Sequence, residues 1–265
     1  NKRIVALLTS VDFHDYLELT LPHNKYIFDR ICVVTKPEDG LTQSVCENLN
    51  IDCFITDAFG SDFNKGAAIN YALNILREEG EEWIMITDAD IFWPPALKMY
   101  IPGLEINTLY GFYRRVIRKV DIGLSGQNEW HETLDDIESI YLGGDYRYFA
   151  TMKDLNEMVP IDTRANLQLM GPYFDIEPPE VFSAMGWNSN VASTLDNPLP
   201  LGYGQLFNCQ LHKNRNYPED FTTAAGCDSY FSSLWSEAFR QFVPRITALH
   251  LGPRMVHWDG RKILE

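Results

Sequence analysis

Two aspartates separated by one residue directly follow a short apolar run in the first third of the chain. The run is residues 83–87 (WIMIT), and the acidic segment is Asp88-Ala89-Asp90. Carboxylate oxygens are the ligands that Mg²⁺ and Mn²⁺ prefer, and such a cation leaves positions open for phosphate oxygens and water. A metal held there would neutralise a diphosphate and make it a better leaving group. The pair therefore predicts a divalent-cation site, although a D-x-D segment also occurs in ordinary surface turns.

A polar segment at residues 63–70 (FNKGAAIN) opens a predicted helix that runs to Glu79. The N–H groups at a helix N-terminus and the ammonium group of Lys65 can together attract an anion. Asn64 is equally suited to capping the helix with its side chain. The segment therefore predicts either an anion-binding helix start or a structural cap.

The elements that would position these residues alternate along the chain. Apolar and amphipathic runs predict the order strand 3–9, helix 16–21, strand 30–35, helix 41–49, strand 52–56, helix 64–79 and strand 83–87. Strands that are apolar on both faces and alternate with helices are typical of a mostly parallel sheet covered by helices. Ligands of such proteins bind at the carboxyl ends of the strands. Because Thr9, Asp57 and the aspartate pair all follow strands, we expect them at one edge of the sheet.

After residue 95 the pattern becomes less regular. It predicts strands at 108–116, 145–152 and 246–252, helices at 132–140 and 228–239, and mainly loop at 171–204. The sequence contains no repeat and no obvious linker. We therefore expect one domain over residues 1–265.

Charge and composition restrict the classes of partner. The chain has 265 residues and a net charge of −15. An acidic surface disfavours non-specific attraction to DNA phosphates and to anionic membranes, and no apolar run approaches the roughly 20 residues of a membrane span. The five cysteines form no C-x-x-C pair, which favours a reducing compartment. We therefore expect a cytoplasmic protein.

Together these features resemble the GT-A class of glycosyltransferases, including its family-2-like and galactosyltransferase-like members. The resemblance covers nearly the whole chain and rests on short matches. They are the D-x-D at residues 88–90, the Asn-Lys-Gly segment at 64–70, the segment AGCDSYF at 225–231 and the segment LHLGP at 249–253. The resemblance implies a Rossmann-like three-layer α/β sandwich with a mostly parallel central sheet.

The resemblance also implies a metal site. Asp88, Asp90 and His250 would bind Mn²⁺ or Mg²⁺. Because His250 is flanked by apolar residues, it is also suited to a buried position in the core.

A catalytic base is implied as well. Asp228 would take the proton from an acceptor hydroxyl, which gives transfer with inversion at the anomeric carbon. Ser229 stands where the family often has a second acid, and this leaves Glu219 and Asp220 as alternative bases. A helix N-cap is another interpretation of Asp228.

The resemblance assigns the two halves of the domain to the two substrates. Residues from about 1 to 95 would bind a nucleotide-sugar, with a UDP-sugar as the expected donor, and residues from about 96 to 265 would bind the acceptor. The nucleotide-sugar contacts would come from Thr9, Asp12, Asp57, Asn64, Lys65, Gly66, Asn70, Ala89, Arg254 and Arg261. The acceptor or sugar contacts would come from Trp187, Tyr203 and Gln205, of which Trp187 and Tyr203 are equally suited to anchoring loops. The acceptor itself stays open among a glycan, a protein, a lipid-linked sugar and modified DNA.

Three other classes of protein share part of this pattern. A nucleotidyltransferase would carry a Gly-rich, Arg-containing loop after the first strand, and the segment here is TSVDF at residues 9–13. A dinucleotide-binding oxidoreductase would show G-x-G-x-x-G at the same place, and that motif is missing from the sequence. A non-catalytic sugar- or nucleotide-binding module would need neither the aspartate pair nor the late histidine.

Overall fold

The computed structural model describes residues 2–61, 63–93, 97–116, 200, 202–221 and 226–250. Within these ranges the strands are β1 (Ile4–Thr9), β2 (Arg30–Thr35), β3 (Asp52–Ile55), β4 (Trp83–Thr87), β5 (Ile91–Phe92), β6 (Leu109–Val116), β7 (Gly204–Asn208) and β8 (Arg240–His250). The α-helices are α1 (His14–Asn24), α2 (Gly40–Leu49), α3 (Lys65–Glu78), α4 (Leu97–Tyr100) and α5 (Cys227–Ser233). Short 3-10 helices cover Asp57–Phe59, Ile101–Gly103 and Glu237–Phe239.

The described strands form one eight-stranded mixed sheet in the order β3-β2-β1-β4-β7-β6-β8-β5. Strands β3, β2, β1 and β4 are mutually parallel, as the alternation of strands and helices predicts. β7 is inserted antiparallel between β4 and β6, and β8 pairs parallel with β6. Because β4, β6 and β8 run in the same direction, their carboxyl ends lie at one edge of the sheet, together with those of β1 to β3.

Helices cover both faces of the sheet, and β1 shows why. Ile4, Ala6 and Leu8 pack on one side with α1 and α2, while Val5 and Leu7 pack on the other side with α3 and α5. All five side chains are buried. Each fully buried large aliphatic side chain contributes roughly 1.5–3 kcal/mol to folding. The predicted three-layer α/β sandwich with a mostly parallel sheet is therefore confirmed.

The predicted elements differ from the structure in several places. β5 and β7 were not predicted, the predicted helix 228–239 ends at Ser233, and β8 begins at Arg240 rather than at residue 246. The helix predicted at 132–140 and the strand predicted at 145–152 lie outside the described residues.

All five cysteines are free thiols. Among the described residues, the structure contains no helix with the length and apolar character needed to cross a membrane.

Candidate active site

The carboxyl ends of β1, β2 and β4 bring polar side chains to one edge of the sheet. Parallel pairing aligns Thr9 of β1 with Val34 of β2, and Leu8 with Thr87 at the end of β4. Asp88 is the next residue after β4. The predicted convergence of strand ends is therefore present in the structure.

Asp39 organises the part of this edge next to β1 and β2, and the sequence did not single it out. Its carboxylate caps α2 by accepting from the Thr42 N–H at 3.1 Å, and it also accepts from the Thr35 hydroxyl at 2.9 Å. The same carboxylate accepts from the backbone N–H of Asp12 at 2.9 Å. Asp12 has a left-handed backbone with φ of 61°, so Asp39 holds the turn that follows Thr9.

The centre of the edge is an ion-pair cluster formed by Lys65, Asp88 and Asp228. Lys65 is the first residue of α3, and its Nζ lies 2.9 Å from Asp88 Oδ1 and 3.4 Å from Asp228 Oδ2. The Lys65 side chain is only 6% exposed, whereas Asp88 is 35% and Asp228 is 20% exposed. The structure therefore joins the start of the predicted anion-binding helix, the predicted metal ligand and the predicted base.

The charges in this cluster shift the pKa values of two members. Burial alone would lower the pKa of Lys65, but the carboxylates of Asp228 and Asp88 outweigh it and raise that pKa. Burial raises the pKa of Asp228, with a further contribution from the charge on Asp88, and the neighbouring Lys65 opposes the rise. Lys65 therefore keeps its positive charge and lies between two carboxyl groups.

Asp228 is fixed by the elements around it. It lies in the first turn of α5, which Phe231 and Trp235 hold against Phe207 of β7 with ring centroids 5.2 and 5.6 Å apart. The Asp228 carboxylate lies so close to Gly202 that a Cβ added there would overlap it. Gly202 therefore belongs to the site through its contact with the Asp228 carboxylate.

Gln205 holds the backbone of Asp228 in place from inside the protein. Its Nε2 lies 3.0 Å from the backbone carbonyl of Asp228, 2.9 Å from the Pro200 carbonyl and 2.8 Å from Ser232 Oγ. Its Oε1 accepts from the Tyr217 hydroxyl. The side chain is fully buried, so in this structure Gln205 supports the site and does not reach the surface where an acceptor sugar would bind, contrary to our expectation.

Tyr203 is also buried rather than placed for stacking on a sugar. Its hydroxyl donates to the Phe112 carbonyl, and its own carbonyl accepts from the Thr87 hydroxyl at 3.1 Å. Trp93 Nε1 donates to the same Thr87 hydroxyl at 2.9 Å. These contacts fit the alternative interpretation of Tyr203 as a loop anchor beside the end of β4.

The remaining residues of the Asn-Lys-Gly segment hold the loop at residues 217–219 against α3. Asn64 caps the helix by accepting from the Ala67 N–H at 2.9 Å and donates to the Glu219 carbonyl at 2.8 Å. Asn70 exchanges hydrogen bonds with the backbone of Tyr217 and donates to the Glu219 carboxylate. A Cβ at Gly66 would overlap the Pro218 carbonyl. In this structure all three positions serve packing, and the amide of Asn70 is occupied within the protein.

The second half of the acidic segment is held by α1. The Thr20 hydroxyl donates to the Ala89 carbonyl at 2.7 Å, and Asn24 donates to the Ile91 carbonyl at 2.7 Å. β5 then pairs with the end of β8, with Ile91 opposite His250. The backbone of His250 therefore lies beside the residue that follows Asp90, while its side chain is outside what the structure describes.

A formed metal cage is not seen in the described part of the chain, where no three His, Cys, Asp or Glu side chains are grouped as metal ligands. The donor set still fits a divalent cation. Asp88 is a partly exposed carboxylate, and the Lys65 ammonium lies 2.9 Å from its Oδ1. The pairing of β5 with β8 brings the backbone of His250 beside Ile91, the residue that follows Asp90. Carboxylate oxygens and an imidazole suit Mn²⁺.

The remaining predicted binding residues are Asp57, Trp187, Arg254 and Arg261. Asp57 is exposed at the start of a 3-10 helix after β3. Trp187, Arg254 and Arg261 lie outside the described residues.

No protein-family model matches the chain, and no curated protein matches it in sequence. Solved structures match it in fold, and the fold they share is the GT-A fold predicted from the sequence. Glucosyl-3-phosphoglycerate synthase from Mycobacterium tuberculosis, in complex with Mn²⁺ and UDP-glucose, matches with a TM-score of 0.51 and 11% identity, over 96% of this chain and 73% of that chain. Its complex with Mn²⁺, UDP-glucose and glycerol 3-phosphate matches with a TM-score of 0.50, 12% identity and the same coverage.

Proposed function

We propose that the protein is a metal-dependent glycosyltransferase of the hexosyltransferase type, which moves a sugar from a nucleotide-sugar, with UDP as the nucleotide, to a hydroxyl acceptor. The observation that carries this proposal is the meeting of Lys65, Asp88 and Asp228 at the carboxyl edge of a GT-A sheet. A cation, a carboxylate of the type that binds metals and a half-buried acid are the groups needed to bind a diphosphate and to activate a hydroxyl. The mycobacterial enzyme of the same fold was crystallised with Mn²⁺ and UDP-glucose, which supports the choice of donor.

The proposed metal ligands are Asp88, Asp90 and His250, with Mn²⁺ or Mg²⁺ as the cation. When bound, the cation would supply positive charge to the donor diphosphate and so stabilise it as a leaving group. On the protein side, the hydrogen bonds from α1 to Ala89 and Ile91 fix the backbone of the acidic segment. This fixation keeps the two carboxylates in a constant relation to the end of β8.

The proposed donor site extends along the ends of β1 to β3. Thr9, Asp12 and Asp57 lie at that edge and are proposed contacts of the nucleoside. Lys65 lies beside Asp88 and would contact the diphosphate. Arg254 and Arg261 are proposed to add positive charge at the leaving phosphates.

Asp228 is the proposed base. The acceptor oxygen would attack the anomeric carbon, forming the new glycosidic bond as the bond from that carbon to the diphosphate oxygen breaks. The hydroxyl proton would pass to the Asp228 carboxylate, and the nucleoside diphosphate would leave with the electron pair of the broken bond. Attack from the face opposite the leaving group gives inversion. Burial raises the pKa of Asp228, which makes it a better proton acceptor than an exposed aspartate.

Thermal stability with different nucleotides tests the donor half of this proposal. The protein would be melted with UDP, GDP, ADP and CDP, each with Mn²⁺ and with EDTA. A ligand at about 100 times its dissociation constant stabilises a protein by roughly 2.7 kcal/mol, so a genuine site raises the melting temperature with one nucleotide in Mn²⁺ and not in EDTA. Asp88→Asn should remove the metal-dependent part of that rise. A folded wild-type protein that responds to no nucleotide would contradict the proposal.

The acceptor half needs product analysis. The sugar donor chosen by the stability series would be incubated with a glycan, a protein, a lipid-linked sugar and hydroxymethylated DNA, and the products would be identified by mass spectrometry. Failure to transfer or hydrolyse any sugar donor would favour a non-catalytic nucleotide-binding module.

A further inference from the structure

We propose that Lys65 is the resident counter-ion of Asp88 and Asp228, and that its ammonium group must leave Asp88 when a divalent cation binds there. The diphosphate of the donor would receive the displaced ammonium, so that metal and nucleotide bind with positive coupling. This inference rests on the proposed function and adds to it an order of events at the same site.

The geometry of Lys65 is that of a buried counter-ion. A buried ammonium group is tolerated only when it is paired, because removing it from water without a partner is costly. Lys65 is 6% exposed and has carboxylate oxygens of Asp88 and Asp228 at 2.9 and 3.4 Å. It therefore occupies the position next to Asp88 Oδ1 from which a divalent cation would also coordinate that oxygen.

Lys65 would respond to a bound metal through its side chain, because its backbone is held in place. The backbone at the start of α3 is fixed on both sides of it, by the Asn64 cap and by the close packing of Gly66 on Pro218. A lysine side chain has several rotatable bonds and carries its charge at the far end. A second cation at Asp88 would repel the ammonium, and the flexible stem allows the ammonium to move while the helix stays in place.

The destination of the ammonium explains why metal and nucleotide would help each other. Without a diphosphate, Lys65 loses its ion pair with Asp88 when the metal binds. The loss of this ion pair weakens the binding of the metal to Asp88. With a diphosphate present, the ammonium gains phosphate oxygens as it leaves Asp88. Coupling between two ligands is reciprocal, so the nucleotide tightens metal binding by the same factor as the metal tightens nucleotide binding.

Mn²⁺ binding measured by electron paramagnetic resonance tests this inference without any catalytic turnover. Free Mn²⁺ would be titrated with wild-type protein, with Lys65→Met and with Lys65→Arg, each with and without UDP. In Lys65→Met we expect Mn²⁺ alone to bind on the order of tenfold more tightly than in the wild type, and UDP to improve that affinity much less. In Lys65→Arg, which keeps the cation, we expect Mn²⁺ alone to bind as weakly as in the wild type.

A matched control separates the local effect from net charge. Lys213 is exposed in the loop after β7, and Lys213→Met removes the same charge from the protein as Lys65→Met. We expect Lys213→Met to leave the Mn²⁺ affinity unchanged. Equal tightening in both variants would mean that net charge alone is responsible, and would overturn the inference.

The outcomes distinguish this inference from the proposed function. If wild-type protein binds UDP with Mn²⁺ but Lys65→Met binds Mn²⁺ no more tightly, Lys65 does not compete with the metal and the inference fails alone. If wild-type protein binds neither UDP nor Mn²⁺ while folded, the proposed function fails. Circular dichroism would establish that each variant is folded, and Lys65→Gln, which retains a polar side chain, would replace Lys65→Met if the latter does not fold.

Discussion

The carboxylate of Asp228 lies directly against the Cα of Gly202, in a space that only a hydrogen atom fits. Glycine at this position is required by the close approach of a side chain from α5 to the loop before β7. The contact fixes where the Asp228 carboxylate points. It also means that adding one methyl group at Gly202 would move the Asp228 carboxylate while leaving the carboxyl group itself unaltered.

Gly202→Ala is therefore expected to impair transfer while leaving donor binding intact. The added methyl group would push the Asp228 carboxylate out of position, and a misplacement of about 1 Å can cost on the order of 100-fold in rate. The measurement is the initial rate of nucleoside diphosphate release from the sugar donor, alongside UDP affinity in Mn²⁺. Gly103→Ala is the control, because a Cβ there meets no atom within 4 Å. A Gly202→Ala rate equal to that of the wild type would show that Asp228 need not lie where the structure places it.

Asp228→Asn tests the assignment of the base. The amide keeps the shape of the carboxylate but cannot accept the acceptor proton, and loss of general-base catalysis typically costs about 100-fold to 10,000-fold. We expect such a loss in rate with UDP affinity retained. Glu219→Gln is the matched variant at the alternative base. Glu219 is exposed and accepts a hydrogen bond from Asn70. We expect the Glu219→Gln variant to transfer sugar at close to the wild-type rate. The reverse ranking of the two variants would move the base to Glu219.

Gln205→Leu is expected to destabilise the fold beneath Asp228. Leucine removes the buried amide that pairs with the Tyr217 hydroxyl and the Asp228 carbonyl, while the Pro200 carbonyl keeps the Ser232 hydroxyl as a partner. A buried group left unsatisfied costs about 1–3 kcal/mol, so we expect a loss in this range in the free energy of unfolding. Urea denaturation measures this loss. Gln241→Leu changes an exposed glutamine of β8, and its effect should stay within about 0.5 kcal/mol. Similar effects of the two substitutions would mean that the Gln205 network contributes little.

His212 lies in the loop after β7, at the edge of the sheet opposite the ion-pair cluster, and it makes the free energy of unfolding depend on pH. Burial, and then the nearby positive charge of Arg215, lower the pKa of His212 below its ordinary value of 6.5. The folded protein therefore binds fewer protons at this histidine than the unfolded chain does. The His212 contribution is fully present above pH 6.5, and it is lost progressively as the pH falls from there toward the lowered folded pKa.

Urea unfolding of wild-type protein and His212→Gln, at about pH 7.5 and about pH 5.5, measures this dependence. Other groups titrate in both proteins, so the difference between their slopes isolates the histidine. We expect the variant to lose less stability than the wild type on acidification. Parallel curves would contradict the lowered pKa of His212.

Much of the sheet could be predicted from the sequence because its central strands are continuous apolar runs. Predicted and observed bounds agree at Arg30–Thr35 and at Trp83–Thr87, where every residue but Arg30 is buried. β7 could not be predicted, since its five residues, GQLFN, follow a stretch rich in Pro, Gly and Asn. Its Gln205 is buried only because Pro200, Tyr217 and α5 surround its amide. The two-residue strand β5 is too short to leave any periodic signal.

The site could be predicted residue by residue but not as an arrangement. Asp88, Lys65 and Asp228 each stood out by residue type and local position. Their ion pairs join residues that are 23 and 163 positions apart, and no local pattern reports such a contact. The burial of Gln205 likewise depends on Pro200 and Tyr217, which only the fold brings to its amide, whereas the Asn64 cap on the Ala67 N–H is a local contact that residue type alone predicts.

The insertion of β7 beside β6 has a consequence for how this protein can diversify. β6 and β7 are antiparallel neighbours, so β6 ends and β7 begins at the same edge of the sheet, where Asp88 follows β4. Two such strands could be joined by a short hairpin, yet residues 117–203 separate them. The chain therefore leaves the sheet after β6 and returns to it at β7 on the edge where Asp88 follows β4. The pairing of β7 with β4 and β6 fixes the register of the sheet, so the length and sequence of this connection can change during evolution while the strand that leads into Asp88 stays constant.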